Sequence, residues 1–190
     1  MLNLVNRSRL IPNFTAAVTG GGAMTYAESS RRPCRCERTS MNTVVDQPAD
    51  LLSLVGQPLG TTDWMEINQE RVNLFADATG DHQWIHTDPA RAINGPFKGT
   101  IVHGHLTLSL APVVISEVLE IRELIAALNC GIDKVRFPAP LRVGSKVRAT
   151  VTVMRVQQKT SGLEAVFTLT YEIEGEPRPA CVADVTVLYP

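Results

Sequence analysis

The chain has 190 residues, 44% hydrophobic and 19% charged, with a net charge of −1. That length suits one domain with a tail, or one large domain, and the apolar content suffices for a substantial core. Charge is uneven: residues 1–40 hold six Arg and two Glu, whereas residues 41–190 hold twelve Lys and Arg against seventeen Asp and Glu, and such a mildly acidic body argues against a nucleic-acid surface.

Residues 1–40 show no sustained periodicity. They contain Gly20-Gly21-Gly22 and Arg31-Arg32-Pro33-Cys34-Arg35-Cys36 and are expected to be poorly ordered. An Arg-rich, acid-poor start fits a mitochondrial transit peptide, and a secretory leader would need a compact apolar stretch behind a basic start. The preferred reading is an incidental extension, with one domain over residues 41–190 and the working protein beginning at Met41. Cys34, Cys36, Cys130 and Cys181 lack zinc-ribbon spacing and read as reduced structural thiols of a cytoplasmic protein. No apolar run is long enough to span a bilayer, so no membrane partner is expected.

In the body, residues 51–56 read as a short helix closed by Gly56, and residues 58–67 as a first strand. Asn68 is placed to cap a helix running from Gln69 through Ala78, with Gly80 as its C′ residue. Val72, Phe75, Ala76 and Thr79 fall on one face of it. The chain then enters Asp81, in a segment read as loop. Asp88-Pro89 is an N-cap followed by Pro at the first helical position, and residues 94–99 are turn-rich. Residues 104–125 read as one long apolar helix, kinked at Pro112. After Cys130-Gly131 the pattern changes to strands: residues 132–137, then three long alternating runs separated by Ser161-Gly162 and Gly175-Glu176-Pro177. The class is α+β: an antiparallel sheet, partly a meander, wrapped around a long central helix.

Asp81 and His86 lie five apart. A carboxylate and an imidazole in one pocket can grip one water from two sides, one removing a proton while the other delivers one. Taken singly, Asp81 also fits a turn and His86 a satisfied core histidine. His103-Gly104 opens the apolar helix, where N–H groups lack helical partners and a glycine lets a carbonyl come close to the backbone. That suits an oxyanion site for a thioester, or equally an ordinary uncrowded helix start. His82, His86, His103 and His105 cluster in sequence, which by itself does not make a metal site, and none is expected. Lys98, Lys134, Arg136, Arg142 and Lys146 flank these segments. They suit the phosphates of a large substrate, or a solvated sheet edge.

The runs Phe75-Ala76-x-Ala78-Thr79-Gly80-Asp81-x-x-x-Ile85-His86-x-Asp88-Pro89-x-x-Ala92 and Ile101-Val102-His103-Gly104, with Val135-Arg136-Phe137-x-x-Pro140-x-x-x-Gly144, resemble the MaoC-like (R)-specific enoyl-CoA hydratases. The likeness covers residues 51–190. It implies a hot-dog fold, normally a homodimer, with no cofactor. The implied reaction is reversible syn addition of water across a trans-2-enoyl-CoA, or an acyl carrier protein thioester, giving the (3R)-3-hydroxyacyl product. It further implies Asp81 and His86 as the catalytic pair and the Gly104 N–H as oxyanion donor; Gln83, Trp84, His103 and Arg136 are expected beside them as substrate contacts. Where the family often has Asn-Pro this chain has Gln83-Trp84, and the bulky Trp84 is expected to narrow or reline the acyl pocket. Pro112 stands where some relatives carry a serine. A thioesterase on the same fold and a non-catalytic acyl-CoA-binding subunit are the rival readings.

Overall fold

Alternating side chains set the architecture. The computed structural model describes residues 43–190; the expectations for residues 1–40, Cys34 and Cys36 included, lie outside the described residues. In chain order, β1 (Thr43–Val45) precedes a 3-10 helix (Pro48–Leu54), which Gly56 follows at φ +83°. Then come β2 (Pro58–Thr61), β3 (Met65–Glu66), α1 (Gln69–Thr79), α2 (Trp84–Thr87) and α3 (Pro89–Ala92). The central helical segment is α4 (Gly104–Ser109) and α5 (Ala111–Val118). It leads into β4 (Leu119–Ile121), β5 (Leu128–Arg136), β6 (Lys146–Lys159), β7 (Gly162–Ile173) and β8 (Cys181–Tyr189).

The main sheet runs β2-β6-β7-β8-β5, with β3 also paired to β6, and all these pairings are antiparallel. Along β7 every second residue is buried, the two-residue period of a sheet with one covered face. Its inward Phe167, Leu169 and Tyr171 share one core with Leu106, Leu110, Val114 and Val118 of the central helices. This is the hot-dog arrangement: a sheet wrapped around a buried helical segment.

Caps form as the sequence predicts. The Asn68 carboxamide oxygen accepts from the Arg71 N–H at 3.0 Å, and Asp88 accepts from the Arg91 N–H at 2.9 Å. Elements away from the site differ from expectation. The single strand over residues 58–67 is two, because Thr62 bonds Ala149 through both its N–H and its hydroxyl, and Asp63-Trp64 step out of the ladder. The helix over residues 104–125 is broken at Leu110, ahead of Pro112, which has no N–H to continue the hydrogen-bond series. It also stops at Val118, because Leu119–Ile121 pair in parallel with β1. The strand expected over residues 132–137 begins earlier, at Leu128.

Gly80 ends α1 at φ +80°, its N–H donating to the Ala76 carbonyl at 2.8 Å, and so sets where Asp81 leaves the helix. A Cβ there would meet no atom within 4 Å, so the cost of one is purely conformational. Gly80→Ala is expected to lower the unfolding free energy by about 1–2 kcal/mol. Urea denaturation reads this, and an unchanged midpoint would contradict the left-handed assignment.

Candidate active site

His86 sits on α2, a single helical turn that replaces the expected loop, and is 7% exposed. Its Nδ1–H donates to the Ile101 carbonyl at 2.6 Å. A carbonyl only accepts, so Nδ1 carries the hydrogen and Nε2 of the neutral ring keeps its lone pair. Burial holds the His86 pKa below its ordinary 6.5; the Ile101 carbonyl pulls it back up, His103 pushes it down and Asp81 raises it. The neutral ring, the form that accepts a proton, is therefore favoured near pH 7.

His103 is 2% exposed at the N-cap of α4. Its ring stacks on His86 with centroids 3.8 Å apart and planes at 26°. Its Nε2–H donates to the Asp81 main-chain carbonyl at 3.0 Å, and its buried Nδ1 has no partner among the described residues. One ring thus fixes both the backbone at Asp81 and the face of His86. The Asp81 carboxylate itself is 57% exposed, 3.9 Å from His103 Nε2. A carboxylate oxygen of Asp81 and one ring nitrogen from each histidine all lie within 4.8 Å of one another. A water with two ordinary hydrogen bonds bridges up to about 5.5 Å. The same spacing suits a metal ion, but His103 Nε2 is already spent as a donor, and stacked rings direct their in-plane lone pairs side by side instead of at one point.

A cavity of about 400 Å³ opens beside this group, with His86, Gly104, Thr107 and Phe137 on its wall. Ile101, Leu141 and others make the remainder mostly apolar. As the first residue of α4, Gly104 has an N–H without an intrahelical acceptor. An added Cβ would lie 2.9 Å from Cε1 of Phe137. The Phe137 ring thus packs against position 104 where a longer residue would have to push it aside. Thr107, buried one turn further on, brings a hydroxyl-bearing side chain to the same wall; no sequence motif marks it.

The cavity wall does not include Asp81, Gln83, Trp84, His103 or Arg136. Gln83 is exposed ahead of α2. Trp84, expected to reline the acyl pocket, packs instead against Gly95, and the Arg91 guanidinium lies 4.5 Å over its ring. Arg136 ends β5, exposed, with Nη1 donating to the Val135 carbonyl. Of the other basic residues, Lys134 pairs with Asp184 and Lys146 with Glu174, while Arg142 is exposed and its backbone bridges to Ile101.

Residues 50–175 match the family described as MaoC like domain. The chain is 50% identical over 142 residues to 3-hydroxyacyl-thioester dehydratase Z of Mycobacterium tuberculosis, covering 74% of this chain and 94% of that protein. It is 44% identical over 144 residues to nodulation protein N of Rhizobium leguminosarum bv. viciae, covering 74% of this chain and 89% of that one. Among solved structures it is similar to the (R)-hydratase from A. caviae involved in PHA biosynthesis, with a TM-score of 0.60, 26% identity, and coverage of 72% of this chain and 96% of that one.

The depressed proton affinity of His86 has a stability consequence. Its contribution is fully present above the unfolded-state pKa of 6.5 and is lost as pH falls through the lower folded-state value. Urea unfolding free energies at about pH 7.5 and 5.5 should therefore drop further on acidification for the unaltered protein than for His86→Gln. Parallel pH dependences would contradict a buried, neutral His86.

Proposed function

Since the chain belongs to the MaoC-like domain family, we propose that it catalyses the reversible hydration of a trans-2-enoyl-CoA to the (3R)-3-hydroxyacyl-CoA. The observation that carries this reading is the fixed tautomer of His86: its Nδ1–H is committed to Ile101, which leaves the lone pair on Nε2 of a residue that lines one cavity with Gly104. The names of the relatives support the same class, as a 3-hydroxyacyl-thioester dehydratase and an (R)-hydratase.

The steps follow from the groups present. A water lies between the Asp81 carboxylate and His86. The Gly104 N–H donates to the thioester oxygen, drawing electrons from the double bond and leaving C3 electrophilic. The water oxygen bonds to C3 as His86 Nε2 takes its proton. The π pair moves toward the thioester oxygen, and the His86 imidazolium then gives its proton to C2 of the resulting enolate, which collapses to the thioester and leaves the ring neutral again. In the reverse direction the same groups remove water from the 3-hydroxyacyl thioester. No metal or cofactor is needed for this balance.

We further infer a homodimer, in the cytoplasm. Among the described residues β5 pairs with β8 alone, so the other edge of a nine-residue strand is unpaired. Leu128 and Ile132 on that strand are 50 and 48% exposed. Such an edge invites a second strand, and a second copy supplies one. No helix among the described residues is long and apolar enough to cross a membrane, and Cys130 and Cys181 are free thiols.

Asp81→Asn and His86→Ala are each expected to lower the rate of crotonyl-CoA hydration by about 10²–10⁴-fold, with circular dichroism unchanged. Loss of enoyl absorbance reads the rate, and near-normal turnover in either folded variant would remove the mechanism. Release of free thiol by the unaltered protein would mean a thioesterase; binding of acyl-CoA without any turnover would mean a non-catalytic subunit. Ile132→Lys is expected to shift the protein toward monomer in light scattering, and an unchanged mass would move the interface elsewhere.

A further inference from the structure

The hydrogen bonds around His86 lead back to a side chain outside every motif. Gln69 opens α1 and is half-buried. Its Nε2 donates to the His86 main-chain carbonyl at 2.7 Å and to Asn73 Oδ1 at 2.9 Å. Its Oε1 accepts from the Thr100 hydroxyl at 2.7 Å. The orientation of the amide is determined, because a main-chain carbonyl accepts only from nitrogen. Both amide hydrogens and one oxygen lone pair are thereby used.

Those bonds tie together three segments that are distant in sequence. Thr100 is buried and adjoins Ile101, whose carbonyl receives the His86 Nδ1–H. The Ile101 N–H donates back to the Ile85 carbonyl at 2.9 Å. On its other side the 100–102 segment is held by Val102 N–H to Leu141 and by Val143 N–H to Thr100. Hence the Gln69 amide grips the His86 backbone with one end. With the other it grips the residue beside the carbonyl that sets the His86 tautomer.

We propose that Gln69, acting through Thr100 and the His86 carbonyl, is a positioning residue for the His86 imidazole. It touches no reacting atom. Its work is to keep the Ile101 carbonyl and the His86 ring in one fixed relation, so that Nε2, not Nδ1, is the basic nitrogen. The titratable groups facing His86 are His103 at the start of α4 and Asp81 after α1; Gln69 faces it as a neutral group. A carboxylate at position 69 would add negative charge beside the imidazole and set two acceptors, the new carboxylate and the His86 carbonyl, against each other.

The test uses Gln69→Leu, Gln69→Glu, Thr100→Val and Thr100→Ser in the full chain. Long-range proton–nitrogen spectra of the histidine rings report the His86 tautomer and its titration directly, with no turnover required. Gln69→Leu and Thr100→Val should weaken the Nδ1–H signature, Thr100→Ser should keep it, and Gln69→Glu should move the His86 titration to higher pH. The kinetic arm rests on the hydration reading. There, Gln69→Leu and Thr100→Val should lower kcat by about ten- to a hundredfold with KM within about twofold, and Gln69→Glu should move the acid limb of the kcat/KM profile to higher pH. A His86 spectrum and titration unchanged in both Gln69 variants overturns the proposal. A shifted spectrum in a protein that hydrates no enoyl thioester supports the positioning role and overturns the hydratase reading instead.

Discussion

The hydrogen bond from His86 Nδ1 to the Ile101 carbonyl fixes which nitrogen of the ring keeps its lone pair. Without it the imidazole would exchange tautomers, and the nitrogen offered to the cavity would be a donor for part of the time. With it, burial and the stacked His103 keep the ring neutral and its Nε2 basic. Every other feature of the site serves that bond or uses its consequence. The 100–102 segment is held from both sides, α2 is tied to it through Ile85, and His103 presses on the imidazole face while it fastens the backbone of Asp81.

The fold supplies the remaining constraint, which is room. Apolar side chains from β6, β7 and β8 close over α4 and α5, and the start of α4 lies beside Phe137, the residue after β5. There the Phe137 ring occupies the space where a side chain at position 104 would begin. A glycine at that helix start admits Phe137, and both residues line the cavity. The Asp81 carboxylate is open to solvent, and among the described residues β5 pairs on one edge alone.

Much of the architecture is legible in the sequence because its signals are local. Asn68, Gly80 and Asp88 announce helix ends through chemistry within four residues, and the three last strands announce themselves by alternation. The misreadings come from partners that a local pattern does not contain. Nothing in Leu119–Ile121 distinguishes the last turn of an apolar helix from a strand until β1 is found beside it. The turn at Trp84–Thr87 is too short to show a helical period. At the site, Asp81, His86 and Gly104 are visible as residue types in a spacing. Sequence does not say that His103 stacks on His86, that Trp84 turns toward Gly95 and Arg91, or that Gln69 reaches the His86 carbonyl across seventeen residues.

The most direct measurement is a single incubation of the protein with a trans-2-enoyl-CoA in D2O, followed by chiral separation and mass analysis of the thioester. A base that activates water at C3, beside an amide that stabilises the thioester oxygen, gives intact (3R)-3-hydroxyacyl-CoA bearing one deuterium at C2. A (3S) product, or free CoA with no hydroxyacyl thioester, would contradict the account.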